Sequence, residues 1–170
     1  AENFLETPAI ARVADEFLTG SGQFAGGQFL NHYEIIEQIG AGGMGEVYLA
    51  RDTKLDRKVA LKILHRNLTA DNQANRRLLR EARAAAALEH PNICAIYEIS
   101  ETGDCGFIVM QYVEGKSLAD ILANERLSVE NALDLATQIA DALTDTHSRG
   151  IIHRDIKPEN IIVNEKRQAK

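Results

Sequence analysis

Two kinds of hydrophobic pattern divide this 170-residue sequence near Gly115. Before that glycine, five short segments have the alternating or β-branched apolar residues that are typical of strands. They are residues 33–39, 46–51, 58–64, 93–99 and 107–112. After it, apolar residues recur at helical spacing, first at 118–122 and then from Ser128 to Gly150. We therefore expect an α+β fold in which a five-stranded antiparallel sheet with one helix precedes a helical part.

The expected helices have recognisable ends. The helix among the strand segments begins at residues 69–71 and ends at His90-Pro91, where the proline disfavours a helical residue before it. In the helical part, Ser128 is a favourable N-cap and Gly150 a favourable C′ residue for the long helix. We expect that helix to bury one apolar stripe, formed by Ala132, Leu133, Ala136, Ile139, Ala140 and Leu143.

The first 29 residues differ in composition from the rest. Thr7-Pro8 is a typical helix start, and a short amphipathic helix is predicted from there to Gly20. Residues 20–27 contain four glycines, which predicts a flexible linker. We therefore expect three regions: a helix and linker at 1–29, a sheet domain at 30–112 and a helical region at 113–170.

Composition argues against several classes of function. The net charge of −6 disfavours a nucleic-acid binder. No apolar run reaches the roughly 18 residues of a membrane-spanning helix, so we expect a cytoplasmic chain without a membrane segment. Cys94 and Cys105 have neither C-x-x-C spacing nor neighbouring histidines, which predicts two reduced thiols and no metal or redox site.

A glycine-rich motif, G-x-G-x-x-G-x-V, connects the first two strand segments. It is contained in the stretch Ile39, Gly40, Ala41, Gly42, Gly43, Met44, Gly45, Glu46 and Val47 and begins at Gly40. Glycines allow backbone amides to approach phosphate oxygens and tolerate the positive φ of a tight hairpin. A strand-like segment follows the third glycine, whereas a dinucleotide-binding fold would begin a helix there. Taken alone, the motif is equally compatible with an ordinary glycine-rich hairpin.

Lys62 lies in the third strand segment, at the end of the apolar run 59–62. A lone lysine in an apolar strand usually extends its ammonium group to water at a sheet edge. Glu81, 19 residues after Lys62, is the carboxylate on the apolar stripe of the following helix. Glu89, near the end of that helix, is the other candidate carboxylate. The alternative role for Glu81 is an exposed ion pair with Arg77.

The most specific motif, H-R-D-x-K-x-x-N, spans residues 153–160. Together with the glycine-rich motif, Lys62, Glu81 and residues 110–115, it forms an ordered series that resembles the protein kinase family from about residue 33 to 163. The sequence of residues 42–48 and the alanine-rich helix ahead of residues 90–93 are most similar to those of bacterial serine/threonine kinases of the Hanks type. The resemblance implies a protein-kinase-like fold, with an N-lobe up to residue 112 and a hinge and partial C-lobe after it.

The resemblance also implies roles for the residues of the H-R-D motif. Asp155 would orient and deprotonate the substrate hydroxyl, and Lys157 would neutralise charge on the transferred phosphoryl group. Asn160 would bind Mg²⁺. A lysine two residues after the aspartate is the pattern of kinases that act on serine and threonine. Arg154 resembles the arginine that pairs with a phosphorylated activation loop in some members.

For the nucleotide, the resemblance implies that the glycine-rich motif and Lys62 bind the phosphates of ATP while Lys62 pairs with Glu81. The carbonyl of Gln111 and the amide of Val113 would meet the adenine edge. Val47, Ala60 and Ile162 would supply apolar faces to the base, and Met110 would line the back of the pocket. ATP and Mg²⁺ are thus the expected cofactors, and proteins with serine or threonine hydroxyls are the expected substrates.

Three functional hypotheses follow. Only ten residues follow Asn160 and none of them forms the D-F-G segment, so we expect the activity in the full-length parent and little in this chain alone. A non-catalytic nucleotide-binding or scaffolding module is the second hypothesis. Phosphotransfer to small molecules is the third, and Lys157 and the complete glycine-rich motif disfavour it.

Overall fold

The computed structural model describes residues 24–42, 45–63, 86–102 and 105–170. These residues form two compact units. The first unit contains the described residues up to 63 together with 98–110, and the second contains 86–97 and 111–170. The helix predicted at 7–20 lies outside the described residues, and so does the helix predicted from 69–71 to His90 as far as residue 85.

Most of a six-stranded sheet belongs to the first unit. Its strands are β1 Phe29–Leu30, β2 Tyr33–Gly42, β3 Gly45–Asp52, β4 Arg57–Ile63, β5 Ile96–Thr102 and β6 Cys105–Gln111. Their order is β1-β2-β3-β4-β6-β5, and the pairs from β1 to β4 are antiparallel. The five predicted strands are confirmed, and β1 is an additional one. β5 begins later than predicted because the Ile93 N–H donates to the His90 carbonyl in a turn.

One face of this sheet forms the core of the first unit. Successive side chains of a strand point to opposite faces, so alternate residues of β3, β4 and β6 reach this core. The buried cluster consists of Phe24, Leu30, Tyr33, Ile35, Tyr48, Ala50, Val59, Leu61, Ile63, Phe107 and Val109. We call this side of the sheet the core face.

The segment before β1 packs against the core face, in contrast to the flexible linker that its glycines predict. Phe24 is only 8% exposed. The Gly27 N–H donates to the Ile35 carbonyl at 2.8 Å. A Cβ at Gly26 would lie 2.8 Å from the carbonyl oxygen of Ile36. Glycine therefore allows a close approach of two backbones here, and the structured part of the first unit includes Phe24.

The second unit combines two helices with a two-stranded sheet. Its elements are β7 Lys116–Ser117, α1 Leu118–Asn124, α2 Val129–Ser148, a 3₁₀ helix at Pro158–Asn160 and β8 Ile162–Val163. The core contains Leu135, Ile161, Val163 and Ala169. Ser128 accepts the Asn131 N–H and Gly150 has a φ of 74°, which confirms both predicted ends of α2. Neither described helix is long and apolar enough to cross a lipid bilayer.

The apolar stripe predicted for α2 is wrong for four of its six residues, while Ile139 and Leu143 are half-buried. The buried residues of this helix are Leu135, Ala142 and Thr146, and Ile139 packs partly buried against the core. The exposed members of the predicted stripe are Ala132, Leu133, Ala136 and Ala140. With about 100° of rotation per residue, the buried residues lie about 90° around the helix from the centre of the predicted stripe. Apolar residues on both sides of α2 make the two stripes look alike in sequence.

Gly115 has the tightest surroundings of the glycines in the second unit. A Cβ at this position would lie 2.8 Å from the carbonyl carbon of Val163 and still closer to its oxygen. We expect Gly115→Ala to lower the free energy of unfolding by about 3 kcal/mol, as measured by urea denaturation. Gly150→Ala is the matched control, because nothing lies within 4 Å of its Cβ position and only its φ of 74° is unfavourable. That variant should lose about 1 kcal/mol, and equal losses in the two variants would contradict the steric explanation.

Candidate functional site

The glycine-rich motif forms the hairpin between β2 and β3. Gly42 pairs with Gly45, and Gly45 has a φ of 132°, which favours glycine. Gly40 lies opposite Val47. Ala41, on the same arm, is exposed, and Ile39, just before Gly40, is 44% exposed. Two predicted positions, Gly43 and Met44, lie outside the described residues.

Several residues predicted to surround the nucleotide share the sheet face opposite the core face. Lys62 pairs in register with Val47. Lys62 and Ala60 alternate with Leu61, which belongs to the core. Met110 follows a core residue of β6 and lies on the same side as Lys62. This face of the first unit therefore has a set of apolar side chains, with Lys62 close to the glycine-rich hairpin and Lys58 farther from it.

Two further apolar residues lie on this face and escaped the sequence motifs. Leu49, which pairs with Ala60, is 5% exposed, and Ile108 is 6% exposed. Strand register brings them there, and register is not readable from a short motif. Glu81 lies outside the described residues, so its ion pair with Lys62 stays a prediction.

In the second unit, three hydrogen bonds hold Gln111. Its N–H donates to the Ala95 carbonyl at 2.8 Å. Its own carbonyl accepts the Cys94 thiol at 3.2 Å, and its side-chain Oε1 accepts the Lys170 ammonium at 2.7 Å. Burial raises the pKa of the Cys94 thiol, which therefore remains a protonated donor. These bonds fix the backbone two residues before the half-buried Val113.

Asp155, Lys157 and Asn160 are in direct contact. The Asn160 Nδ2 donates to the Asp155 Oδ2 at 2.7 Å and to the Asp155 carbonyl at 2.9 Å. The Lys157 Nζ lies 3.2 Å from the Asp155 Oδ1. The hydrogen bond from Asn160, followed by that from Lys157, lowers the pKa of Asp155. The carboxylate is therefore ionised at neutral pH and can accept a proton.

Local backbone structure positions these three side chains. Pro158 begins the 3₁₀ helix, where the missing N–H of proline costs no hydrogen bond. The Asn160 N–H donates to the Lys157 carbonyl at 3.0 Å. Arg154, just before Asp155, has a φ of 66°, a conformation that is unfavourable for residues other than glycine. Such strained residues often occur beside functional groups.

Asp155 and Asn160 have donor atoms that suit magnesium. Mg²⁺ prefers oxygen ligands. Because the amide nitrogen of Asn160 faces Asp155, its Oδ1 is the oxygen that remains for a cation. No group of three His, Cys, Asp or Glu side chains in the described part of the chain is arranged to bind a metal. The loop thus contains oxygen atoms of the kind that Mg²⁺ prefers.

Ile162 lies directly after this loop in β8. Its neighbours Ile161 and Val163 are each 8% exposed and belong to the core of the second unit. Since strand residues alternate between faces, the half-buried Ile162 side chain lies on the face of β8 away from that core. Its backbone is held by two 2.8 Å hydrogen bonds with Lys170.

Comparisons with known proteins extend over most of this chain. The family model described as "Protein kinase domain" matches residues 33–170. The serine/threonine-protein kinase PrkC of Bacillus subtilis strain 168 is 46% identical over 140 residues, which cover 82% of this chain and 22% of PrkC. PknB, a serine/threonine-protein kinase of Mycobacterium tuberculosis, is 43% identical over 139 residues, covering 79% of this chain and 22% of PknB.

Solved structures agree with these matches. The crystal structure of the PknI kinase domain of Mycobacterium tuberculosis aligns with a TM-score of 0.75 and 33% identity, covering 86% of this chain and 60% of that chain. The chain thus spans about a fifth of the length of the curated relatives PrkC and PknB. Because the family model matches well over half of the sequence, the chain belongs to the protein kinase domain family.

Proposed function

We propose that this protein transfers the γ-phosphate of ATP to serine and threonine hydroxyls of protein substrates. The contact of Asp155 with Lys157 and Asn160 is the observation that most supports the proposal. It combines an ionised carboxylate, a cation and an amide oxygen within one short loop. The relatives PrkC and PknB are serine/threonine kinases by name.

The second unit supplies the catalytic groups in this proposal. ATP provides the phosphoryl group, and Mg²⁺ offsets its negative charge when both are bound. Asp155 accepts the proton of the substrate hydroxyl, and its lowered pKa keeps it ionised for that task. The Lys157 ammonium lies 3.2 Å from this carboxylate and neutralises the charge that develops on the transferred phosphoryl group. Asn160 would hold the metal, with its Oδ1 as the available oxygen.

Nucleotide contacts are assigned to each unit separately. In the first unit, the backbone N–H groups of residues 40–45 and the Lys62 ammonium bind phosphates. The apolar contacts to the base in that unit are Val47, Ala60 and Met110. In the second unit, the Gln111 carbonyl, the Val113 N–H and the Ile162 side chain contact adenine. The hydrogen bonds of Gln111 support this assignment because they fix its carbonyl before ligand arrives.

The proposed reaction also suggests where the protein works. It consumes ATP, so we place these residues in the cytoplasm, where ATP is available. Its partners are proteins that present a serine or threonine in an accessible segment. The bacterial origin of PrkC and PknB favours a role in bacterial signalling.

The phosphorylated residue tests the assignment of the substrate class. We expect the full-length protein to phosphorylate peptides with serine or threonine much faster than a matched peptide with tyrosine, because Lys157 stands two residues after Asp155. Phosphoamino acid analysis of the products measures the preference. Dominant phosphotyrosine would overturn the assignment. Nucleotide binding without any transfer would instead support the non-catalytic module.

A further inference from the structure

Tyr48 connects the segment before β1 to the beginning of β3. Its side chain is completely buried. The hydroxyl accepts the Phe24 N–H at 3.2 Å and donates to the Glu46 Oε2 at 2.5 Å. The Phe24 and Tyr48 rings pack edge to face, with centroids 5.7 Å apart. The Tyr48 hydroxyl therefore links the backbone amide of Phe24, before β1, to the side chain of Glu46 in the hairpin.

Glu46 belongs to the glycine-rich hairpin itself. It follows Gly45 directly and pairs with Ala41 on the other arm of the hairpin. On its other side it pairs with Ile63 of β4. Glycine-rich backbone has much conformational freedom, so a fixed residue at the start of β3 limits how far the hairpin moves.

The segment that contains Phe24 has a defined conformation of its own. The Ala25 N–H donates to the Gln28 Oε1 at 2.8 Å, and the Gln28 N–H donates to the Ala25 carbonyl at 3.2 Å. The Gln28 carbonyl accepts the Ile35 N–H at 2.8 Å. All these residues before 33 precede the region that matches the kinase family model. The segment is thus a feature of this chain that the family match does not include.

The Tyr48 hydroxyl remains a hydrogen-bond donor to Glu46 at neutral pH. Burial, followed by the hydrogen bond to Glu46, raises the pKa of Tyr48 to about 12, so the hydroxyl keeps its proton and remains a donor. Hydrogen bonds to a carboxylate are about twice as strong as neutral ones. Removing the hydroxyl while keeping the ring would leave the Glu46 carboxylate without this donor and would retain the packing against Phe24.

We propose that Phe24 and Tyr48 are positioning residues for the glycine-rich hairpin, and that the segment before β1 thereby raises the affinity for nucleotide. This inference rests on the proposed function, in which the hairpin binds the phosphates. A hairpin that is already ordered loses less conformational entropy when the nucleotide binds. Loss of the Tyr48 hydroxyl therefore weakens nucleotide binding more than it slows the chemical step.

Tyr48→Phe and Tyr33→Phe form a matched pair of variants. The Tyr33 hydroxyl also donates to a carboxylate, the Glu98 Oε2 at 2.7 Å, and Tyr33 is 3% exposed. Tyr33 pairs with Asp52, at the end of β2 and β3 away from the hairpin. Both substitutions thus remove a tyrosine–carboxylate hydrogen bond from the first unit. Tyr48→Phe removes it close to the glycine-rich hairpin, and Tyr33→Phe removes it far from the hairpin.

Two measurements on the full-length protein test the proposal. We expect Tyr48→Phe to raise the KM for ATP about fivefold or more, with kcat at saturating ATP unchanged, while Tyr33→Phe leaves both constants unchanged. Without nucleotide, Tyr48→Phe should speed amide hydrogen exchange in residues 40–42 and 45–48, and Tyr33→Phe should not. An unchanged KM and exchange in Tyr48→Phe, or equal changes in both variants, would overturn the proposal.

A second pair of variants tests the N-terminal segment directly. Phe24→Ala removes a buried ring, and Phe29→Ala removes one that is 47% exposed. Only Phe24→Ala should raise the KM for ATP and the exchange rate of the hairpin, and equal behaviour of the two would reject the role of Phe24. If the unmodified protein transferred no phosphate, the proposed function would fail, while hydrogen exchange would still decide whether Tyr48 anchors the hairpin.

Discussion

Asp155→Asn should reduce the rate of phosphoryl transfer by about 10² to 10⁴-fold. The asparagine cannot accept the proton of the substrate hydroxyl. It also loses the negative charge that holds the Lys157 ammonium at 3.2 Å. Because the side chain keeps its size and the loop is only partly buried, the fold and the KM for ATP should change little. Initial rates of phosphate incorporation at saturating ATP provide the measurement.

Glu165→Gln is the control for this experiment. It removes one negative charge from an exposed residue in the turn after β8, outside the proposed site. Its rate should equal that of the unmodified protein. If Asp155→Asn retained a comparable rate, Asp155 would not be the proton acceptor.

Lys62→Ala should reduce kcat/KM by about 10² to 10³-fold. The substitution removes the one positive side chain of β4 that lies on the same face as Val47 and close to the hairpin, where the phosphates are proposed to bind. In a water-poor site a charge that is already oriented toward the phosphates stabilises them far more than it would in bulk water. Thermal denaturation should show that the protein remains folded.

Lys58→Ala tests whether position, and not only charge, causes this effect. Lys58 lies four residues earlier on the same strand, on the same side by alternation, and is exposed opposite Arg51. We expect its loss to leave kcat/KM within the error of the assay. Similar reductions in the two variants would point to the general charge of the unit and would reject the specific role of Lys62.

The ends of α2 could be predicted from sequence, but its buried face could not. Capping is decided within a few residues, so Ser128 and Gly150 identify the two ends. The choice of face depends on what packs against the helix, and Leu133 is as apolar as Leu135. Leu135 packs in the core of the second unit, whereas Leu133 is exposed.

Composition was misleading for the segment before β1. Gly26 and Gly27 suggest freedom of movement, yet Gly26 lets two backbones approach and Gly27 adopts a φ of 85° in a hydrogen-bonded turn. The burial of Phe24 depends on Tyr48, which is 24 residues away in sequence. Local composition contains no information about such a contact.

In the candidate site too, contacts between residues close in sequence could be predicted, and contacts between distant residues could not. Asp155, Lys157 and Asn160 lie within one short motif, and their contacts follow from its local backbone. The bonds of Gln111 to Cys94 and Lys170 join residues 17 and 59 positions apart. No spacing pattern relates these residues, because only the tertiary structure brings them together.

Arg154 has a consequence for attempts to make the protein resistant to heat. Its φ of 66° costs a side chain with a Cβ about 1 kcal/mol or more. Glycine adopts this conformation without that cost, and asparagine does so more readily than arginine. A library selected only for survival at high temperature should therefore accumulate glycine or asparagine at position 154. Improved thermal resistance would then be gained in the residue next to Asp155, and such variants need to be tested for turnover before they are kept.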